Sequence, residues 1–335
     1  MTKAAELAKM GEVLTNSQIG GRRNILYNGA MQVAQRGTSF TSIGGTAGVY
    51  SLDRMRYGFT MNSGRLTITQ STDTPNGFAN SLKVDITTAE SSLNASSGAA
   101  IGQFIEGQDV QQFKKGTSDA EQYTLSFHVK SNVTGTYIVE LFDQDNTRQV
   151  SKSYTIDSAN TWEKKTLTFP ADTTGAFDND NATSLIIQWF LASGTDRTSG
   201  TLNTSSASST DANRAVGQAN LFSSTDNEWY ITGMQLEVGS TATPFEHRSF
   251  GEELALCQRY YVEEDGVSMR NFTGGTIAVS IPHFWKTTMR AAPTISGTNA
   301  SANESISTQG FQAYKGTISS GASWQLTGTK ATAEL

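Results

Sequence analysis

From Val49 onward, apolar and polar residues alternate with a period of two, in short runs separated by clusters of Gly, Asn, Asp and Ser. Successive side chains of a strand point to opposite faces, so this pattern predicts half-buried antiparallel strands. The runs cover residues 65–70, 81–87, 100–105, 122–131, 136–142, 151–156, 162–169, 184–191 and 228–238. That many strands in one stretch fit a jelly-roll β-sandwich better than a smaller immunoglobulin-like one. Between Gly194 and Gly217 the chain is low in complexity, centred on Thr204-Ser-Ser-Ala-Ser-Ser-Thr210, and reads as a long exposed loop.

Two stretches carry helical spacing instead. Leu7, Met10 and Leu14 fall at i, i+3 and i+7, with Ala4 one turn earlier, which predicts a short amphipathic helix ended by Gly20-Gly21. A helix of about a dozen residues is marginal alone in water. Its stripe is therefore expected to pack on the domain body, on copies of itself or on another protein. Phe250, Leu254, Cys257 and Tyr261 lie along one face of a second helix. Cys257 belongs to that apolar stripe, which predicts a buried, inert thiol. Residues 266–335 return to short alternating runs with a thin core, which would gain from packing on the main sandwich or on identical copies. The pattern divides the chain into an N-terminal helix and attachment segment (1–22), a jelly roll (23–248), a linker helix (249–265) and a small C-terminal β domain (266–335).

Composition narrows the possibilities. The 335 residues carry a net charge of −6 and are 36% hydrophobic but only 17% charged, where roughly a quarter charged is usual. Ser, Thr, Asn and Gly take the missing places, as suits a β-rich protein with a hydroxyl- and amide-covered surface. No run of Lys or Arg is available to track phosphates, which argues against nucleic acid as a partner. One cysteine rules out an intrachain disulfide, and three histidines leave little for a transition-metal site. Glu6, Lys9 and Glu12 interrupt the first residues, so neither a secretory signal nor a membrane-inserting segment is expected there.

Several blocks resemble a family of tailed-phage tail-fibre and tail-associated virion proteins with a carbohydrate-binding-module-like jelly roll. They are Asn28-Gly-Ala-Met-Gln-Val-Ala-Gln-Arg-Gly-Thr-Ser-Phe40, Leu52-Asp-Arg-Met-Arg-Tyr57 and Tyr123-Thr-Leu-Ser-Phe-His-Val-Lys-Ser131. The most specific is Trp229-Tyr-Ile-Thr-Gly-Met-Gln-Leu-Glu-Val-Gly-Ser-Thr-Ala-Thr-Pro-Phe-Glu-His-Arg248, followed by Phe250-Gly-Glu-Glu-Leu-Ala-Leu-Cys-Gln-Arg-Tyr-Tyr261. The similarity runs over residues 24–262 with the blocks in the same order. It implies a non-enzymatic, homotrimeric structural component of a virion, made in the host cytoplasm. It also implies other phage tail or virion proteins as partners, and contact with host cell-surface polysaccharide. The N-terminal stripe of Leu7, Met10 and Leu14 would then serve docking or oligomerisation.

A sugar-binding sheet needs aromatic faces for stacking and planar polar groups for hydroxyls, all on the solvent side. Strict alternation puts Trp162, Trp229, His128 and Gln235 there; the competing expectation is that a second sheet, the C-terminal module or a neighbouring subunit covers them. Trp189, in a strand apolar on both faces, is expected to be buried. Trp285 and Trp324 are expected as core or interface anchors. Asp143-Gln-Asp-Asn146 and Asp178-Asn-Asp-Asn181 carry the alternating oxygens that calcium favours. Neither continues as an EF-hand, so both read first as turns, with Asp143, Asp145, Asp178 and Asp180 as candidate ligands and no other cofactor expected. The conspicuous carboxylate pairs are Glu106 with Asp109 and Glu252 with Glu253; solvated charge or helix-dipole compensation accounts for the second. No nucleophile elbow, Walker loop or zinc-protease motif occurs. The reading is a tail fibre or tail-attached protein, with a head or baseplate decoration or connector protein and a glycan depolymerase as alternatives.

Overall fold

The computed structural model describes residues 3–4, 23–266 and 268–335. The expected N-terminal stripe of Leu7, Met10 and Leu14 lies outside the described residues. The chain divides into two compact units, Met1–His247 and Arg248–Leu335.

The first unit opens with β1 (Ser39–Ile43), β2 (Val49–Tyr50), β3 (Arg56–Gly58), β4 (Arg65–Ser71), β5 (Ser81–Thr88) and β6 (Gly98–Glu106). It continues with β7 (Tyr123–Ser131), β8 (Gly135–Asp143), β9 (Arg148–Ile156), β10 (Glu163–Phe169), β11 (Thr183–Ser193), β12 (Ala207–Ser208) and β13 (Glu228–Val238). Six strands pair in the order β1-β4-β5-β13-β7-β10 and seven in the order β12-β9-β8-β11-β6-β3-β2. From β5 onward the chain crosses between sheets at almost every step, and β11 and β13 slot back between earlier strands. This is a jelly roll, and the protein is mainly β. Its strands form because alternate residues meet across the sheets: Leu66, Ile68, Leu82, Val84, Leu125, Phe127 and Val129 from one, Ile101, Tyr137, Val139, Ile187 and Trp189 from the other. Trp189 is fully buried, as expected.

The blocks that carry the family resemblance lock this unit together. Asn28 holds a left-handed backbone; its amide donates to the carbonyls of Val33 (2.9 Å) and Asp53 (3.0 Å), and its Oδ1 accepts from Val33 N–H. Asp53 in turn accepts from the backbone and side chain of Gln35 at 2.7 and 2.6 Å. At the other end of the unit Glu246 Oε2 accepts from the N–H groups of Arg23 and Asn24, both at 2.7 Å. The chain thus enters and leaves the sandwich side by side, and these polar motifs satisfy buried backbone that no strand ladder reaches.

The segment from Gly194 to Gly217 is not the exposed loop its composition suggested. It holds a helical turn (Thr195–Thr198), β12 and a 3-10 turn (Asp211–Asn213), and it lies across the outer face of the seven-stranded sheet. Ala215 is buried there with Ala100, Ile138 and Phe190, and Leu202 packs alongside. Arg214 reaches Glu140 on β8 through two bonds of 2.8 Å.

The second unit begins with a helix, Phe250–Gln258, closed by a capping box in which Ser249 and Glu252 each accept from the other's backbone N–H. Its fully buried Cys257 sits in this helix. The expected helix runs on to Tyr261, but that residue already begins β14 (Tyr261–Glu264), so the apolar stripe ends a turn earlier. There follow β15 (Ser268–Arg270), β16 (Ile277–Phe284), β17 (Thr294–Ser296), β18 (Ala302–Glu304), β19 (Gly310–Ile318), β20 (Ser323–Gln325) and β21 (Thr329–Thr332). They form three small sheets, β14-β21-β17, β15-β20 and β16-β19-β18, around a core that includes Trp285, Phe311 and Trp324.

Candidate functional site

The outer face of the six-stranded sheet was expected to display Trp162, Trp229, His128 and Gln235, and the structure corrects most of that set. Strict alternation along β13 fails at a bulge: Ile231 pairs with Val129 and Thr232 with His128, but the register then shifts before Gln235 meets Ser126. Gly233 supplies the left-handed residue at the shift, with φ of 61°. One extra residue reverses the facing of everything before it. Trp229 therefore points into the core and is fully buried, while Tyr230 takes the outer position. Gln235 does face outward but is also fully buried. Its side chain holds the returning segment, donating to Glu237 (2.9 Å) and accepting from Glu246 N–H (2.8 Å). His128 is half-buried beneath Phe78, ring centroids 5.2 Å apart; burial, helped by the Lys164 charge, pulls its pKa down.

Trp162, like His128, is half-buried on this face. Its Nε1 donates to Asp73 Oδ1 at 2.9 Å, and Asp73 also pairs with Lys130. Lys130 Nζ lies 4.2 Å from the centroid of Tyr230, whose hydroxyl donates to Glu228 (3.0 Å). Lys83 closes the cluster with Asp85 (2.8 Å) and Glu228 (2.9 Å). The polar groups around Trp162 are thus spent on one another. Burial, and then the Glu228 hydrogen bond, push the Tyr230 pKa up to about 12.

The calcium candidates are brought together in part. Asp145 accepts from Asp178 N–H at 3.0 Å, so the two acidic turns adjoin, while Asp180 accepts from Ala182 N–H at 2.8 Å. Asp143, however, faces a cation supplied by the chain. Lys115 Nζ sits 2.6 Å from Asp143 Oδ2, 3.2 Å from Asp172 Oδ2, and 2.7 and 2.6 Å from the carbonyls of Thr174 and Gly175. Arg148 grips Asp172 from the other side at 2.8 and 2.9 Å. An ammonium thus stands among these oxygens, where a divalent ion at Asp143 would have to displace it. Among the described residues no group of three or more His, Cys, Asp or Glu side chains gathers as a metal site. The carboxylate pair Glu106 and Asp109 is likewise committed, to Gln108 and to the Tyr27 hydroxyl, each at 2.5 Å.

A different surface, missed in the sequence, carries an aromatic row flanked by arginines. On the outer face of the seven-stranded sheet Phe104 (β6), Ile186 (β11) and Phe142 (β8) stand opposite one another across neighbouring strands. Phe104 and Phe142 are half-buried, and Ile186 between them is buried. Strands lie roughly 4.8 Å apart, so this apolar row spans roughly 10 Å, the reach of about two sugar rings. A guanidinium stacks at each end: Arg56 Cζ lies 4.1 Å from the Phe104 centroid and Arg214 Cζ 5.1 Å from that of Phe142. The next row along the sheet is polar, with Gln188 donating to Glu140 and Glu140 bound by Arg214. The strap from Gly194 to Gly217 borders it, with Arg197 stacked 4.3 Å from Phe59. Each half of the row sits in an expected strand, but nothing in the sequence says that β11 lies between β6 and β8.

No protein-family model matches the sequence, and no curated protein is significantly similar to it. Among solved structures, the chain is similar to the enzymatically active domain of tailspike protein 4 of bacteriophage CBA120, at 16% identity and a TM-score of 0.32. That match covers 64% of this chain but spans only 21% of the length of the tailspike chain. A family 11 carbohydrate-binding module from Clostridium thermocellum matches at 10% identity and a TM-score of 0.32, over 62% of this chain and 98% of its own. The xylan-binding domain of Paenibacillus barcinonensis Xyn10C matches at 10% identity and a TM-score of 0.29, over 67% of this chain and 100% of its own.

Proposed function

We propose that the chain is a structural component of a tailed-phage particle, a homotrimeric tail fibre or tail-attached protein that contacts host surface glycans through its jelly roll. The observation that carries the binding half is the row Phe104, Ile186 and Phe142 with an arginine stacked at each end. Such a row offers stacking faces beside planar hydrogen-bond donors, the two things a pyranose recognises. The reading is non-catalytic: Glu106, Asp109 and Glu140 each hold a structural partner, which leaves no poised acid and base on this face.

The virion half is supported by the ordered family blocks, whose residues form the interlocking turns of the sandwich. Self-association is supported by the second unit. Among the described residues the exposed large apolar side chains are Phe250, Met269, Phe272, Phe284 and Ile306, all of them in that unit, and a small fold that exposes such side chains is a natural place for copies to meet. Partners would be further virion proteins, with synthesis in the host cytoplasm before assembly.

Immunogold labelling of intact particles of the encoding phage, with an antibody to the chain, tests the virion half. Label at tail or fibre is the expected result; label confined to the head would favour the decoration reading, and unlabelled particles would end the proposal. Light scattering of the purified chain at micromolar concentration is expected to give three times the 36.0 kDa chain mass. A monomer removes the trimer.

A further inference from the structure

The platform's two arginines differ in one respect. Arg214 is neutralised, held by Glu140 through two bonds of 2.8 Å and by Asp211 at 3.2 Å. The Arg56 guanidinium makes no hydrogen bond or ion pair with any described residue. Its guanidinium is instead sandwiched among rings, 4.1 Å from the Phe104 centroid and 5.9 Å from that of Tyr50. Arg36 lies over the same Tyr50 ring at 5.4 Å, so a second positive charge backs the first. Stacking fixes the plane of a guanidinium while leaving its N–H edge available, the arrangement suited to a bidentate carboxylate. On the same face Glu140 stands across three strand spacings, roughly 14 Å away, and already belongs to Arg214.

We infer that the platform selects acidic polysaccharide, with a uronate-type carboxylate seated on Arg56 and the adjoining sugar rings on Phe104 and Phe142. The inference rests on the glycan reading of this face. It also accounts for a local cationic end on a chain whose net charge of −6 would otherwise repel an anionic polymer. A charge-assisted hydrogen-bonded contact of this kind is expected to favour the acid over its neutral counterpart roughly 10- to 100-fold, less as salt is added.

The test is a glycan array carrying acidic polysaccharides, polygalacturonate among them, beside their methyl-esterified or carboxyl-reduced counterparts, probed with the full chain. Wild type is expected to bind acidic members more tightly than their neutral partners. Arg56→Met is expected to lose that preference, and Arg56→Lys, which keeps charge without the planar fork, to keep part of it, with thermal unfolding of both variants near wild type. Equal binding to acidic and neutral partners, or an acid preference unchanged in Arg56→Met, overturns the inference and leaves the glycan reading standing. Silence across the whole array removes the glycan reading, and the inference with it.

Discussion

Lys115 is the residue whose loss the sandwich should feel most specifically. Its side chain is 4% exposed and those of Asp143 and Asp172 5% each. The cage holds two cations, Lys115 and Arg148, against two carboxylates. Replacing Lys115 by Met keeps the buried stem but leaves Asp143 and Asp172 to share Arg148, an uncompensated buried charge. Breaking a buried pair from one side costs about 3–5 kcal/mol. For a unit of this size each kcal/mol moves Tm by about 2–4 °C, so the sandwich transition should fall by about 6–20 °C. Tryptophan fluorescence reports that transition, since Trp189 and Trp229 are fully buried in the unit.

The pH dependence carries a sign. Burial opposes ionisation of Asp172, yet Arg148, the Thr174 N–H and Lys115 together hold its pKa below the ordinary value. A depressed carboxyl stabilises fully above its unfolded pKa of about 3.9 and loses that contribution as pH falls through the lower folded value. The variant, whose Asp172 has lost the Lys115 charge and is easier to protonate, should therefore close its gap to wild type on acidification. Lys114→Met is the control, because that side chain is 53% exposed and pairs with Glu121 at the surface; it should melt close to wild type. A Lys115→Met variant melting with the Lys114→Met control, or a gap that widens on acidification, would refute the reasoning.

Three further outcomes follow from the same geometry. Lys115→Ala empties the cage of its ammonium, and calcium at 100 times its Kd should then return about 2.7 kcal/mol in a thermal melt while leaving wild type unmoved; no response in the variant would show that these oxygens cannot close on a metal. Trp229→Ala should cost about 3–5 kcal/mol in urea unfolding and Trp162→Ala no more than about 1.5, the reverse order contradicting the bulge at Gly233. An absorbance titration should find Tyr230 ionising near pH 12, its contribution to stability being complete below about pH 10 and lost as pH rises through 12; a Tyr230→Phe variant that removes a component near pH 10 would disprove this environment.

The sheets were legible because alternation survives wherever a strand has one dry face. Leu125, Phe127 and Val129 against Thr124, Ser126 and His128 is such a case. Alternation cannot see an inserted residue, and Gly233 therefore cost the assignment of Trp229 and hid Tyr230; a glycine inside an apolar strand was the available clue. The strap from Gly194 to Gly217 was misread because its few anchoring residues act at long range: Arg214 meets Glu140, 74 residues earlier. The platform was unreadable for a related reason. Phe104, Ile186 and Phe142 belong to strands distant in sequence, and their juxtaposition depends on β11 entering between β6 and β8. The family blocks, by contrast, were visible as motifs, while their role in clamping Asn28, Asp53 and Glu246 needed the fold.

The central claim is that the outer face of the seven-stranded sheet binds a glycan. The measurement that meets it most directly is a crystal structure of the full chain with the oligosaccharide that binds best on the array. The account expects sugar rings over Phe104 and Phe142 with a polar group on Arg56. Sugar seated on Trp162, or anywhere else off this row, would contradict it.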